Sequence, residues 1–443
     1  MSEPTRHRAD TARKTKAIEA AMDAVLHQEP MAISLFDELR EKTTKGKGVF
    51  RDAYGEGENF AHRLVAAKAA GLGLLVDRDA AANTYMTMPG RDRRAPRVII
   101  GSHLDSVPDG GNFDGAAGVV AGMIAIAALK SAEFRPMRDI TVMAIRAEES
   151  VWFNTTYFGS RAALGRFPVE SLDALRRFDT GYPLSKHLKQ AGGDPDALRT
   201  GQPYLSASEI LAYLEVHIEQ GPVLETENLP IGIVTGIRGN YRRPAIKIYG
   251  EYNHCGGVPR AYRRDSVVAA CEFVHALDRL WAEWEREGKD MAFTVGKLYT
   301  DPARHALTKI AGEATFSLDV RSLDPDLLNE LEGRVKTIAV EIMERRGVTI
   351  DLSSFTRAEV GRVNPSIFRA LCEGAEVLNI PIRSIASGAS HDAAAFAQAG
   401  IPMGMLFIRN ANGSHNPDEK MEIRDLLEAA RLLTWWLVEK GSA

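Results

Sequence analysis

The chain has 443 residues, 45% hydrophobic and 26% charged, with a formal net charge of −4. That length exceeds what one hydrophobic core usually serves, which predicts at least two domains in an ordinary globular protein. A charge so small, with no long Lys/Arg block, gives nucleic acid or an anionic membrane surface no electrostatic hold, and leaves a small molecule as the expected partner.

The amino-terminal stretch Met1–Lys16 is polar and lacks the apolar core of a signal peptide. No later run reaches the roughly 18 apolar residues of a membrane span. Three scattered cysteines, Cys255, Cys271 and Cys372, suit neither a disulfide framework nor a cysteine-based zinc site. Together these predict a cytoplasmic protein in which any metal is held by His and carboxylate. The tail Arg6–Ala12 is expected to fray, and amphipathic patterns over Ile18–Leu26 and Ala61–Ala70 predict packing helices.

From Arg97 to Gly221 short β-rich runs alternate with helical ones: Val98–Ile100, Gly115–Lys130, Ile140–Ile145, Ser160–Leu164 and Tyr213–Ile218. The alternation predicts an α/β domain, and each polar cluster follows an apolar strand, where open α/β sheets place their sites. The first cluster is Gly101-Ser-His103-Leu-Asp105-Ser-Val-Pro108-Asp-Gly-Gly-Asn-Phe-Asp114-Gly115. A side-chain period of two sets His103 and Asp105 on one side, so that Asp105 can orient the imidazole while the ring's other nitrogen binds metal. Asp114 has two carboxylate oxygens and could bridge two ions. Glu148 and Glu149 close the run Ile140–Ile145 and point opposite ways on an extended segment, one suited to a ligand and the other to carrying a proton. The run Gly115-Ala-Ala-Gly118-Val-Val-Ala-Gly122 lacks the lysine of a phosphate loop and reads as a helix packed closely on the sheet.

His217 ends a strand that also carries Glu215 and Glu219 on its side, before Gly221-Pro222 stops it. Past Glu225 the pattern becomes strands Gly232–Thr235 and Ala245–Tyr249, helix Ser266–Glu287, strands Phe293–Leu298 and Ala314–Val320, helix Pro325–Arg345 and strand Val348–Leu352. This predicts an inserted α+β unit over 231–354, which divides the catalytic domain into residues 1–230 and 355–443. Helix Ser366–Leu378, strand Arg383–Ala386, strand Met403–Ile408 and helix Arg424–Glu439 complete it. His391 and His415 lie in turn-rich loops, where position favours function over packing. His254 lies in the inserted unit. His7, His27, His62, His187 and His275 have no motif around them and read as surface or core residues, and His305 lies in a polar loop without a role.

Taken in order, the clusters at His103–Asp105, Asp114–Gly115, Glu148–Glu149, Gly159–Ala162, His217–Pro222, Asn253–His254, Arg263–Asp265, Asp319–Arg321, His391–Ala393 and Ser414-His415-Asn416-Pro resemble one family. It is the amidase/carbamoylase branch of the binuclear aminoacylase-like metallohydrolases, which includes N-carbamoyl-L-amino-acid hydrolases, β-ureidopropionases and allantoate amidohydrolases. The resemblance implies a discontinuous di-metal catalytic domain with an inserted ferredoxin-like lid and dimerisation domain. It implies one ion held by His103, Asp114 and His217 and a second by Asp114, Glu149 and His415, with a bridging water and Glu148 as general base. His217 itself points to the amidase branch, because related peptidases carry an acidic residue there. Gln220 is then expected to contact the amide or ureido group and Arg321 to clamp a substrate carboxylate, with His391 at the same site. His254 from the partner subunit's lid would stabilise the oxyanion, so a homodimer is implied. Ligand types leave Zn, Mn, Co or Ni open.

Three positions depart from the family pattern. Ser150-Val-Trp152 replaces the usual Gly-Ser-Arg after the paired glutamates, which sets an apolar Trp152 near the site in place of a cation and suggests a flatter or aromatic acid. Thr308 stands where relatives have a substrate-binding Asn, and Arg260 stands in place of Met. The expected reaction is therefore metal-dependent hydrolysis of a non-peptide carbon–nitrogen bond in a small carboxylate such as an N-carbamoyl amino acid or allantoate-like acid. The alternative is an aminoacylase, dipeptidase or aromatic-amine hydrolase on the same scaffold.

Overall fold

Four nearly all-apolar strands, Arg97–His103, Ile140–Ile145, Ile210–Ile218 and Met403–Ile408, run parallel through the middle of one sheet. Strands buried on both faces need no polar alternation, which explains their composition. The computed structural model describes residues 18–441, and the expectation of a frayed Arg6–Ala12 tail lies outside them. Across the sheet the order is Ile231–Ile237, Met403–Ile408, Ile210–Ile218, Arg97–His103, Ile140–Ile145, Thr84–Met88 and Leu75–Arg78. The outer strands join antiparallel. This is the expected mixed α/β fold, with the Leu75–Met88 hairpin added at one edge.

Helix Ala116–Ser131 lies against this sheet and the carboxy-terminal helix Ile423–Glu439 lies against that helix, with almost every residue of the former buried. The small residues permit the close approach. A Cβ on Gly118 would fall 2.0 Å from the Val216 carbonyl oxygen, so the run is a packing face as its sequence suggests.

By its internal contacts the described chain divides into two units. One runs to Thr235 and includes 362–387 and the chain from His391 onward; the other is Gly236–Gly361 with 388–390. The second unit has a six-stranded sheet built around Gly239–Tyr249 and Glu313–Ser322, with helices Ser266–Arg286 and Pro325–Arg346 packed into its core through residues such as Phe273, Leu277, Leu331 and Val335. Asp265 and Asp324 cap these helices with side-chain oxygens. Pro244 lies inside the strand Gly239–Tyr249, which therefore begins earlier than the expected Ala245. The register slips at that point, between Phe316 and Leu318, so the missing proline N–H has no ladder partner to deprive. Opposite the same bulge, Ser317 donates to the Lys297 carbonyl, and the single strand expected over Phe293–Leu298 is divided into Ala292–Thr294 and Leu298–Tyr299.

Trp152 corrects an expectation. Its ring is fully buried, its Nε1 donates to the Ser106 carbonyl at 2.8 Å, and Phe50, Phe178 and the Arg177 guanidinium cover it. A side chain so enclosed cannot read a substrate; it anchors the segment after Glu149 into a satellite core with Phe153, Phe158 and Leu172. Trp152→Ala is accordingly expected to lower the unfolding free energy by about 3–5 kcal/mol in urea titrations, and a loss under about 1 kcal/mol would contradict this packing role.

Among the described residues, no helix is long and apolar enough to cross a membrane.

Candidate metal centre

His103 is the last residue of its strand and His217 the last but one of the parallel neighbour, so both rings leave the sheet at its carboxyl end. Their Nε2 atoms are 3.3 Å apart. His103 Nδ1 lies 3.1 Å from the Asp105 carbonyl oxygen, and His217 Nδ1 lies 2.9 Å from that of Ile218. A carbonyl only accepts, so each Nδ1 carries the hydrogen and each Nε2 presents a lone pair to the other. In neutral rings two such lone pairs repel at that distance, and a cation between them, a metal ion or a proton shared with Asp114, removes the conflict. A proton can take the place of that cation: burial opposes charge on His103, but hydrogen bonds to Asp105 and Asp114 and the nearby Glu148 outweigh it and push its pKa well up.

Asp114 completes the group. Its Oδ1 lies 3.4 Å from His103 Nε2 and 3.2 Å from His217 Nε2. Its Oδ2 points elsewhere, 3.4 Å from His415 Nε2, which is itself 3.3 Å from Glu149 Oε1. A tetrahedral ion with bonds of about 2.0–2.1 Å sets its donor atoms about 3.3–3.4 Å apart. All three spacings within His103–Asp114–His217, and the two that join His415 to Asp114 and to Glu149 in the second group, match that edge. One oxygen of Asp114 serves each group, the arrangement a bridging carboxylate requires. The donor set therefore fits divalent ions.

The Asp114 loop is fixed from three sides. Glu419 Oε1 accepts from the Phe113 and Asp114 N–H groups at 2.8 and 3.1 Å, and Ser414 Oγ lies 2.5 Å from Asp114 Oδ2 and 2.9 Å from Glu419 Oε2. Buried Arg51 donates to the Leu104 and Asp114 carbonyls at 2.8 and 3.2 Å. Gly115 follows at φ +66°, and a Cβ there would fall 2.5 Å from the His103 ring, so this position takes glycine both for its dihedral and for its neighbour. The sequence assigns no role to Arg51 or Glu419, and it marks Ser414 only as part of the motif around His415. Ser414 and Glu419 flank His415 and share its loop, whereas Arg51 stands in a segment with no motif.

The Asp105 carboxylate lies 3.4 Å from His103 Nδ1 and also reaches the glutamate pair. Its Oδ1 and Oδ2 accept from the Glu148 and Glu149 N–H groups, each at 3.0 Å, which fixes the backbone of the glutamate pair. Burial, then mutual repulsion with neighbouring carboxylates, raises the pKa of Glu149 well above the ordinary value; Glu148 is raised by burial as well, with His103 opposing. Burial also opposes ionisation of Asp114, but hydrogen bonds from His103 and His217 hold it well below the usual range. Crowded, desolvated carboxylates of this kind mark a site built around positive charge.

Gln220 stands at φ +61° with Nε2 2.9 Å from Asp114 Oδ2, and its buried Oε1 has no partner. His391 is buried beside His217, with ring centroids 4.5 Å apart, and its Nε2 lies 2.9 Å from Ser387 Oγ; burial, then His217, depresses its pKa. Arg321, His254 and Thr308 belong to the second unit. Asp319 grips Arg321 through Nε and a terminal nitrogen at 3.0 and 3.2 Å. His254 Nδ1 accepts from the Gly256 and Gly257 N–H groups, and the Thr308 carbonyl accepts from Cys255 N–H. Arg260 lies in a short helical turn, Arg260–Tyr262.

Comparison with known proteins fits this geometry. A profile of peptidase family M20/M25/M40 matches residues 99–438. An N-carbamoyl-L-amino-acid amidohydrolase of Pseudomonas sp. (strain NS671) is 33% identical over 394 residues, covering 88% of this chain and 92% of that protein. The allantoate amidohydrolase of Escherichia coli (strain K12) is 32% identical over 387 residues, covering 86% and 89%. A crystal structure of an amidase of the hydantoinase/carbamoylase family from Burkholderia multivorans superposes with a TM-score of 0.85 at 27% identity, covering 94% of this chain and 98% of that one.

Proposed function

This chain belongs to peptidase family M20/M25/M40 as a carbon–nitrogen amidohydrolase, and we propose that it hydrolyses a ureido acid, an N-carbamoyl amino acid or allantoate-like carboxylate, at the centre around Asp114. The observation that carries this reading is the division of the two Asp114 oxygens between two His-carboxylate groups, with Glu148 buried beside them and outside both. The names of the similar proteins supply the ureido class.

Two divalent ions, Zn, Mn, Co or Ni by ligand type, would be held by His103, Asp114 and His217 and by Asp114, Glu149 and His415, and would supply Lewis acidity and a lowered water pKa. Glu148 takes the proton of the attacking water and returns it to the leaving nitrogen. Gln220, whose buried Oε1 lacks a partner, offers an acceptor for the ureido N–H. Asp105 keeps both glutamates in place, and His391 closes the His217 side of the site.

The second unit serves as lid and pairing surface in this reading. Arg321 clamps the substrate carboxylate with a fork that Asp319 holds in plane, within a cavity of 560 Å³ also lined by Arg242 and Thr356. His254 of the partner subunit stabilises the oxyanion, and Thr308 bounds the substrate's far end. Exposed Tyr262, Leu298, Tyr299 and Leu307 support a pairing surface on this unit.

A panel of N-carbamoyl, N-acyl and allantoate-like acids, assayed with chelated enzyme after Zn or Mn is restored, tests the reading. Ammonia and carbon dioxide are expected from the ureido acids. Cleavage of N-acyl acids alone would favour the aminoacylase alternative.

A further inference from the structure

The turn that presents Glu148 and Glu149 includes Ala147, a buried non-glycine residue at φ +51°. Alanine resists that left-handed conformation, and it persists only where the surroundings hold it. Here they do so completely. The carbonyls of Arg146, Ala147 and Glu148 accept from the N–H groups of Gly159, Phe158 and Tyr157 at 2.9, 3.1 and 3.2 Å. Four consecutive N–H groups are taken by buried side chains: Arg146 N–H by Asn83 Oδ1 at 2.9 Å, Ala147 N–H by Glu58 Oε1 at 2.9 Å, and those of Glu148 and Glu149 by Asp105.

Glu58 is the distant member of this cradle. It lies in the first turn of helix Glu56–Gly71, is fully buried, and also accepts through Oε2 from Tyr54 N–H and from a terminal nitrogen of Arg146, both at 2.7 Å. Nothing in the metal groups or the proton transfer uses it. A buried carboxylate paired with a buried guanidinium is weak support for stability, because an apolar pair of similar volume often serves the fold as well. Its second oxygen, held on the N–H of the strained residue just before the glutamate pair, is a contact an apolar pair would not make.

We propose that Glu58 is a positioning residue for the reaction: by holding Ala147 N–H it keeps the turn in its left-handed form, with Glu149 aimed at the second ion and Glu148 at the attacking water. This rests on the roles given to Glu148 and Glu149 above. The double variant Glu58→Met/Arg146→Met removes both buried charges together, so that neither is left uncompensated, and with them the bonds of Glu58 to the Ala147 and Tyr54 N–H groups and of Arg146 to the Ala82 carbonyl and Asn59. It is expected to melt cooperatively, to lose at least tenfold in kcat with KM within twofold, and, when the metal-free protein is titrated with Mn²⁺, to bind the first ion as the parent does and the second at least tenfold more weakly. Kcat and both Mn²⁺ affinities within twofold of the parent would overturn the proposal. Arg146→Met alone leaves Glu58 on Ala147 N–H and is expected to lower the melting temperature while keeping kcat within threefold. A loss as large as that of the double variant would make the ion pair the active element and would also overturn the proposal. If Glu148→Ala, assayed alongside, turned over like the parent, the role of Glu148 would fall while the Mn²⁺ titration still judged Glu58.

Discussion

Replacing Glu148 with glutamine is expected to lower kcat by about 10²–10⁴-fold, the usual worth of a positioned acid–base group, with metal content and KM close to the parent's. The shape is kept and the proton acceptor is removed. Glu148 belongs to neither ligand group, so the ions should stay. Its backbone N–H remains on Asp105 Oδ1, so the turn should not move. Steady-state kinetics with elemental analysis of the same sample decide the matter. Turnover within tenfold of the parent at full metal content would assign the proton to another group.

The second large effect belongs to Asp114. Asp114→Ala removes a donor from both groups at once, because Oδ1 faces His103 and His217 while Oδ2 faces His415. His103 and His217 then lose the anionic member of their group, and Glu149 and His415 are left as a pair too small to hold an ion firmly. Metal content after gel filtration is expected to approach zero. Activity should fall by more than about 10³-fold, since several kcal/mol of transition-state stabilisation go with the ions. Arg51 and Glu419 hold the backbone of the Asp114 loop, so the melt should stay cooperative. A variant that kept both equivalents of metal would show that Asp114 does not bridge.

What the sequence reveals of this architecture follows from how near in the chain cause and effect lie. His103, Glu149, His217 and His415 are legible because each lies on or just past the apolar strand that delivers it, and a period of two or a following turn gives its direction. Helix Glu29–Thr43 carries a readable stripe in Met31, Leu35, Phe36 and Leu39; its Pro30 looks like a breaker but occupies the first turn, where its missing N–H costs nothing. The edge strand Leu75–Arg78 is exposed along its whole length and so lacks the alternation that marks a half-buried strand. Arg51 and Glu58 are illegible for a different reason. The partners of Arg51 lie 53 to 63 positions further on, and those of Glu58 in the glutamate turn lie 88 and 89 positions on, so that only the fold brings them together. Trp152 shows the opposite failure. Its place beside Glu149 in sequence suggests a role at the site, but the short helix Ser150–Phe153 turns its ring into a core.

The central claim, a pair of ions bridged by Asp114, is tested most directly by anomalous diffraction from crystals grown with Mn²⁺ or Zn²⁺. Two peaks about 3.5–4 Å apart are predicted, one within reach of His103 and His217, the other of Glu149 and His415, with Asp114 between them. A single peak, or two that do not share Asp114, would contradict the account.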